Sequence, residues 1–244
     1  LSGDWSSDVC SSDLILGLRK SWLSREILAF GAFAGMGIVH ALGTAVPSMP
    51  FADILTANAS AISGVVAVLG VLGVFCSVMV YHVTRRAFWN VAYSGTKFGL
   101  TALVLGLAAT LFTMVVADRL RPSEELGAVV GALVAPLAYA MLAKLLVELW
   151  VLTHLRDRTT SDLRRTAKLL TTDLADAFMF RVIVGVAGGI AVPLLLISPH
   201  GVTMPASAVV GAVLSLALCV GGELIERSLF FRAASSLRMP GGLS

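Results

Sequence analysis

Charge is what this sequence has least of. Only 14% of its 244 residues are Asp, Glu, Lys or Arg, against about 25% in a typical soluble domain, and that shortfall excludes an ordinary water-soluble globule. Cysteine is nearly absent. Cys10, Cys76 and Cys219 lie far apart, with no CxxC pair and no Cys/His cluster that could hold zinc or an iron–sulfur centre. Cys76 and Cys219 fall inside apolar runs and read as small buried hydrophobes. Basic and aromatic residues do not interleave, so a net charge of +3 and a pI near 9.0 speak for anionic lipid head groups and membrane orientation, and nucleic acid is not expected as a partner. No glycine cluster follows a strand pattern, which removes a phosphate-cradling loop. A basic segment ahead of an N-terminal apolar run, the mark of a signal peptide, is also missing.

What the chain has instead is long apolar runs: 57% of residues are hydrophobic and the mean hydropathy is +0.89. Crossing a bilayer takes about 20 apolar residues, and six stretches qualify: Ile27–Val46, Ala59–Tyr81, Phe98–Ala117, Gly127–Leu152, Phe178–Ser198 and Pro205–Leu229. The expected fold is all-α, a polytopic transmembrane helical bundle of about six spans, in a multi-pass protein of the bacterial inner membrane. Residues 1–14 are Ser/Asp-rich, aperiodic and join abruptly to ILGLRKSW; they read as a foreign or disordered segment on an N-terminally truncated protein. The transmembrane domain is placed at 15–238 and a C-terminal tail at 239–244. Between the fourth and fifth spans, Leu163, Leu169, Leu170 and Leu174 have a spacing that suits a short amphipathic surface helix. Glycines punctuate the spans (Gly31, Gly35, Gly37, Gly64, Gly70, Gly73, Gly185, Gly188, Gly189) and are expected to let helices approach closely.

With six spans, most Lys and Arg, including Lys97 and Arg181, are assigned to the loops and ends of one face, while the opposite face has Arg119 and Arg121. The positive-inside rule puts the basic face in the cytoplasm; a basic face that docks a partner subunit is the competing explanation.

Ionisable groups inside a span cost several kcal/mol, roughly 2.5 or more, and therefore pair or work. Lys144 and Glu148 stand four apart on one helix face and are expected to form a structural ion pair inside the bundle. Lys-before-Glu is the weaker order, so Glu223 is a second candidate partner for Lys144, and Arg227 one for Glu223. His40 is mid-span and reads as a satisfied interior histidine; His82, His154 and His200 sit in separate loops and make no bis-imidazole haem site. No metal ligand set is expected. The stretch SWLSREIL (Ser21–Leu28) differs from these, because it leaves a carboxylate, Glu26, at the start of a helix and at the membrane–water boundary, beside Arg25 and Trp22. The helix N-terminus alone favours an acid there; a lipid-soluble quinol head group would also sit at that depth and needs a base as its electrons leave. A secondary transporter with a polar Lys144/Glu148/Glu223 path is the alternative from another class, although the internal repeat such a fold usually carries is not evident.

SWLSREI, YHVTRRAFWN (Tyr81–Asn90), TKFGLTALVLG (Thr96–Gly106), LAKLLVEL (Leu142–Leu149), RRTAKLL (Arg164–Leu170) and GELIERSLFF (Gly222–Phe231), in that order and spacing, resemble the membrane-anchor subunit of dimethyl sulfoxide reductase, the DmsC family, over residues 15–238. The resemblance implies a haem-free and metal-free anchor of eight spans, whose first two have no counterpart here. It implies a subunit that oxidises menaquinol as bound substrate and passes electrons to an iron–sulfur subunit and then a molybdopterin catalytic subunit in anaerobic respiration. Such a subunit performs no chemistry on the terminal substrate. Glu26 falls on the family's acidic S-x-E-I position and becomes the expected catalytic base, with Trp22, Arg25 and Phe30 completing a quinol-binding set. In well-known members the catalytic subunits face the periplasm, which conflicts with the cytoplasmic assignment of the basic face.

Overall fold

The computed structural model describes residues 21–46, 48, 51–84, 89–121, 123–156, 161–196 and 206–233, and every regular element among them is helical. The expectations for 1–14 and 239–244, for Cys10 and for His200 lie outside the described residues. The chain divides into two compact units, residues 1–85 and 86–244. Six helices among the described residues are long and apolar enough to cross a membrane. Their outward faces carry large exposed hydrophobics such as Val71, Tyr139 and Leu195, a surface that suits hydrocarbon and not water. The fold is therefore an all-α polytopic bundle.

The first unit is an antiparallel helix pair, α1 (Trp22–Ala45) and α3 (Ala59–His82), joined through a short α2 (Ala52–Ala57). Its register can be read from partners whose numbers fall on α3 as they rise on α1. Glu26 meets Ser77, Phe30 lies over Gly73, Phe33 over Gly70, and His40 Nε2 is 3.1 Å from Ser63 Oγ. A Cβ on Gly73 would meet the Phe30 ring at 2.8 Å, so with the ring where it is, glycine is what lets α3 come this near α1. Gly31, Gly35, Gly37 and Gly64 have no neighbour within 4 Å of a Cβ position; the close packing expected of them is not where they are used.

In the second unit α4 (Val91–Leu120), α5 (Glu124–Trp150), α7 (Ala175–Val186) and α9 (Ala206–Arg232) pack together. The chain continues from α7 through a π-helical turn, Ala187–Ala191, into the single turn α8, Val192–Leu195. At the other side, a 3-10 turn (Val151–Arg156) and α6 (Asp162–Thr171) follow α5, and α6 packs on that turn and on α7. The amphipathic helix expected near Leu163–Leu174 is thus α6, N-capped by Ser161 Oγ, which accepts from Arg164 N at 3.2 Å.

Buried positions in the second unit recur every three to four residues, the period of one helix face. On α4 they are Val104, Ala108, Leu111 and Val115, on α5 Val130, Val134, Leu137 and Met141, and on α9 Ala208, Ala212 and Cys219. These side chains form the apolar core. Two close contacts bring α9 against the π turn: a Cβ on Gly188 would meet Leu218 Cβ at 2.6 Å and the Cys219 backbone N at 3.0 Å. A π turn leaves carbonyls out of register, and Ser215 Oγ donates to Gly188 O at 2.6 Å.

The helices start a turn or two before the apolar runs do. Ser21, Asn90 and Ser123 accept backbone N–H bonds as N-caps, and they lie ahead of the first long apolar residues. Two residues counted with the basic face are drawn inside: Lys97, just ahead of the third apolar stretch, is on the second turn of α4, and Arg181, near the start of the fifth, is within α7, both buried. Basic side chains can stay there only if acids meet them.

Candidate functional site

Among the described residues each unit holds one cluster of ionisable groups, and the two are built differently.

In the first unit the helix begins at Trp22, so Glu26 is on the second turn of α1 and the first turn carries no acid. This corrects the expectation of a first-turn carboxylate. The favourable field of a helix N-terminus fades within one turn, and Glu26 is held instead by a side chain: Ser77 Oγ of α3 donates to Glu26 Oε1. Trp22, Glu26 and Phe30 succeed one another at four-residue intervals and so share one face of α1. Trp22 meets Phe75 of α3 edge to face, ring centroids 6.1 Å apart. The Arg25 guanidinium carbon stands 4.4 Å from the Trp22 ring centroid, a cation–π contact. Phe30 closes the face against Gly73. Trp22, Arg25 and Glu26 are all half-buried. The arrangement therefore presents one carboxylate, oriented by a neutral hydroxyl, beside a cation and two aromatic rings. Ser77 gave no signal in the sequence, since one serine in an apolar helix is unremarkable.

In the second unit the buried stripes described above change from apolar to ionic at one end of the bundle. Thr101 and Lys97 continue the stripe at the start of α4, Lys144 and Glu148 at the end of α5, Glu223 and Glu226 at the end of α9, and Arg181 enters from α7. Lys144 and Arg181 are 0% exposed. Lys144 donates to Glu223 Oε2 and contacts Thr101 Oγ1, while Thr101 Oγ1 is 2.8 Å from the same carboxylate oxygen. Arg181 Nη2 bridges Glu223 Oε1 at 2.9 Å and Glu148 Oε1 at 3.0 Å. Lys97 pairs with Glu226. Lys144 and Glu148 do share a face, as their spacing implies, but each finds its partner on another helix. Glu223 likewise bonds across helices and not to Arg227, whose guanidinium stacks 4.0 Å from the Phe98 ring centroid.

An aromatic and hydrogen-bonded layer covers this end. Trp89 stacks on Phe230, centroids 5.5 Å apart, and donates from Nε1 to Phe230 O at 3.3 Å; Thr166 of α6 donates to Ala233 O at 2.9 Å. Arg181 and the Lys97–Glu226 pair were missed in the sequence. Their signal was there, as charged residues inside an apolar run (Arg181, Glu226) or directly beside one (Lys97).

Of the histidines, His40 contacts Ser63, and His154 packs edge-on to Trp150 with centroids 4.8 Å apart. Among the described residues no three His, Cys, Asp or Glu side chains converge as metal ligands. Cys76 and Cys219 are buried free thiols.

Compared with known families, residues 14–232 match the model of a family described as DMSO reductase anchor subunit (DmsC). No curated protein and no solved structure matches the chain.

Proposed function

Because the chain belongs to the DmsC family of dimethyl sulfoxide reductase anchor subunits, we propose that it holds such a reductase in the bacterial inner membrane and oxidises menaquinol there. Electrons leave for an iron–sulfur subunit and from it reach a molybdopterin catalytic subunit, and the anchor does no chemistry on the terminal acceptor. The observation that carries this reading is the α1 face, where Glu26 stands half-buried between Trp22 and Phe30 and accepts its hydrogen bond from Ser77.

Oxidation of a quinol to a quinone releases two electrons and two protons. A hydroxyl proton leaves more readily when a base is in reach as the electrons depart. Glu26 is that base: it takes the first proton on a carboxylate oxygen, hands it to water, and takes the second in the same way, while the two electrons leave for the iron–sulfur subunit. The Ser77 hydroxyl fixes which oxygen faces the substrate. Trp22 and Phe30 supply flat apolar contact for the ring, and Arg25, held over Trp22, offers a donor to a quinol oxygen.

The transporter reading has less behind it. Lys144, Glu148 and Glu223, which would have to line a path, are buried and engaged with one another, Thr101 and Arg181, which leaves no free polar wall.

Replacing Glu26 by Gln in the assembled enzyme tests the proposal. The amide keeps the shape and can still meet Ser77, but it takes no proton, so oxidation of a menaquinol analogue should fall by roughly a hundredfold or more while the complex still assembles. An unchanged rate would remove Glu26 from the mechanism.

A further inference from the structure

At the ionic end of the second unit, Tyr93, Lys97, Glu148 and Glu226 lie together around a space of about 20 Å³ whose remaining walls are apolar, Leu170 and Phe178 among them. A water needs about 10–15 Å³ of such space and two to four polar partners. Both conditions are met. The three charged side chains are each at least nine-tenths buried, Lys97 4%, Glu148 4% and Glu226 3% exposed. Glu226 Oε1 is ion-paired with the Lys97 ammonium, and a carboxylate offers about four lone-pair sites, more than one cation meets.

We propose that this space binds one internal water, which joins the Lys97–Glu226 pair to the Lys144–Glu223–Arg181–Glu148 group and makes a single network of the two. The chemistry of the walls selects the ligand. Lys97 can only donate and the carboxylates only accept, so the occupant must do both. A cation would face the Lys97 ammonium and an anion two carboxylates. Three cations, Lys97, Lys144 and Arg181, already answer three carboxylates, Glu148, Glu223 and Glu226, so a neutral dipole is the occupant that leaves the charges balanced. The space is also too small for anything larger than water. This inference involves only the second unit and is independent of the role given to Glu26.

Two measurements test it on the assembled complex. A density map of the complex in lipid discs, fine enough to show ordered waters, should contain one solvent peak within hydrogen-bond distance of Glu148 and of Glu226 or Lys97. A space closed by side chains, or one without a peak at that map quality, overturns the proposal. The second measurement is the variant Leu170→Phe, which pushes extra volume into the space. Displacing a bound water strands the groups it served, and the melting temperature should drop by a few degrees with quinol oxidation unchanged. Filling a dry void would instead raise it or leave it as it was, and either result counts against the water. Should Leu170→Phe fail to assemble, the map of the unsubstituted complex decides alone.

Discussion

In the first unit one carboxylate, Glu26, sits half-buried and takes its hydrogen bond from a neutral hydroxyl; in the second, three carboxylates lie almost fully buried, each against a cation from another helix. The difference bears on what each can do. A proton acceptor has to exist in both charge states during turnover, and a carboxylate counted into a closed ionic network loses that freedom, because neutralising it strands its partner. Glu26 keeps the freedom. Packing follows the same division: α1 buries only Gly43, whereas α4 and α5 bury a continuous apolar stripe that runs directly into the charges. A site that must admit a lipid-soluble substrate suits the looser unit, and a scaffold suits the tighter one.

The comparison breaks most readily at Arg181. Arg181→Met leaves Glu148 without its cation and halves the support of Glu223, which should cost about 3–5 kcal/mol. Thermal unfolding of the solubilised complex will register it as a large drop or as failed assembly. A melting curve like that of the parent would mean the network does not hold the second unit together.

Steric substitutions sharpen the contrast at intermediate size. Gly188→Ala drives a methyl into Leu218 Cβ and the backbone N of Cys219, neither of which can swing aside, and should destabilise by about 1–3 kcal/mol. Gly73→Ala in the first unit meets the Phe30 ring, which can turn about its own torsions. Its cost should be smaller in unfolding, and it should appear instead as a raised KM for quinol. Equal losses of stability from both would argue that the units are equally rigid.

The smallest effect is expected from Ser77→Ala. It removes the hydroxyl that orients Glu26, worth about 1 kcal/mol, and should slow quinol oxidation several-fold without moving the melting temperature. A change in stability with no change in rate would make Ser77 a packing residue only.

The spans were legible in the sequence because length and apolarity suffice to announce them. Their ends were not. Hydropathy drops at the first charged or polar residue, but helices run on to their caps, and Ser21, Asn90 and Ser123 stand outside the apolar stretches. Lys97, between the Asn90 cap and Phe98, is buried for that reason. Spacing along one helix correctly placed Lys144 and Glu148 on a common face, yet the pairs those two form join residues 79 and 33 positions apart, and periodicity carries no information about which helix lies opposite. Glu26 was legible through its motif. Ser77, which completes its setting, depends on the α1–α3 register, and that is fixed by the closeness of Phe30 to Gly73 and Phe33 to Gly70.

The interhelical ion pairs also impose an order on biogenesis. Lys97, Lys144 and Glu148 are synthesised on α4 and α5, before Arg181 on α7 and well before Glu223 and Glu226 on α9. Each charged side chain delivered to the middle of a helix during membrane insertion costs about 2.5–3.5 kcal/mol, less near an end, and the partners these groups have in the folded bundle are not yet available to offset it. The early helices must therefore wait at the insertion machinery, or with their charged ends drawn toward the head groups, until α9 emerges. Emergence of α9, which brings Glu223 and Glu226, is thus the event that closes the network.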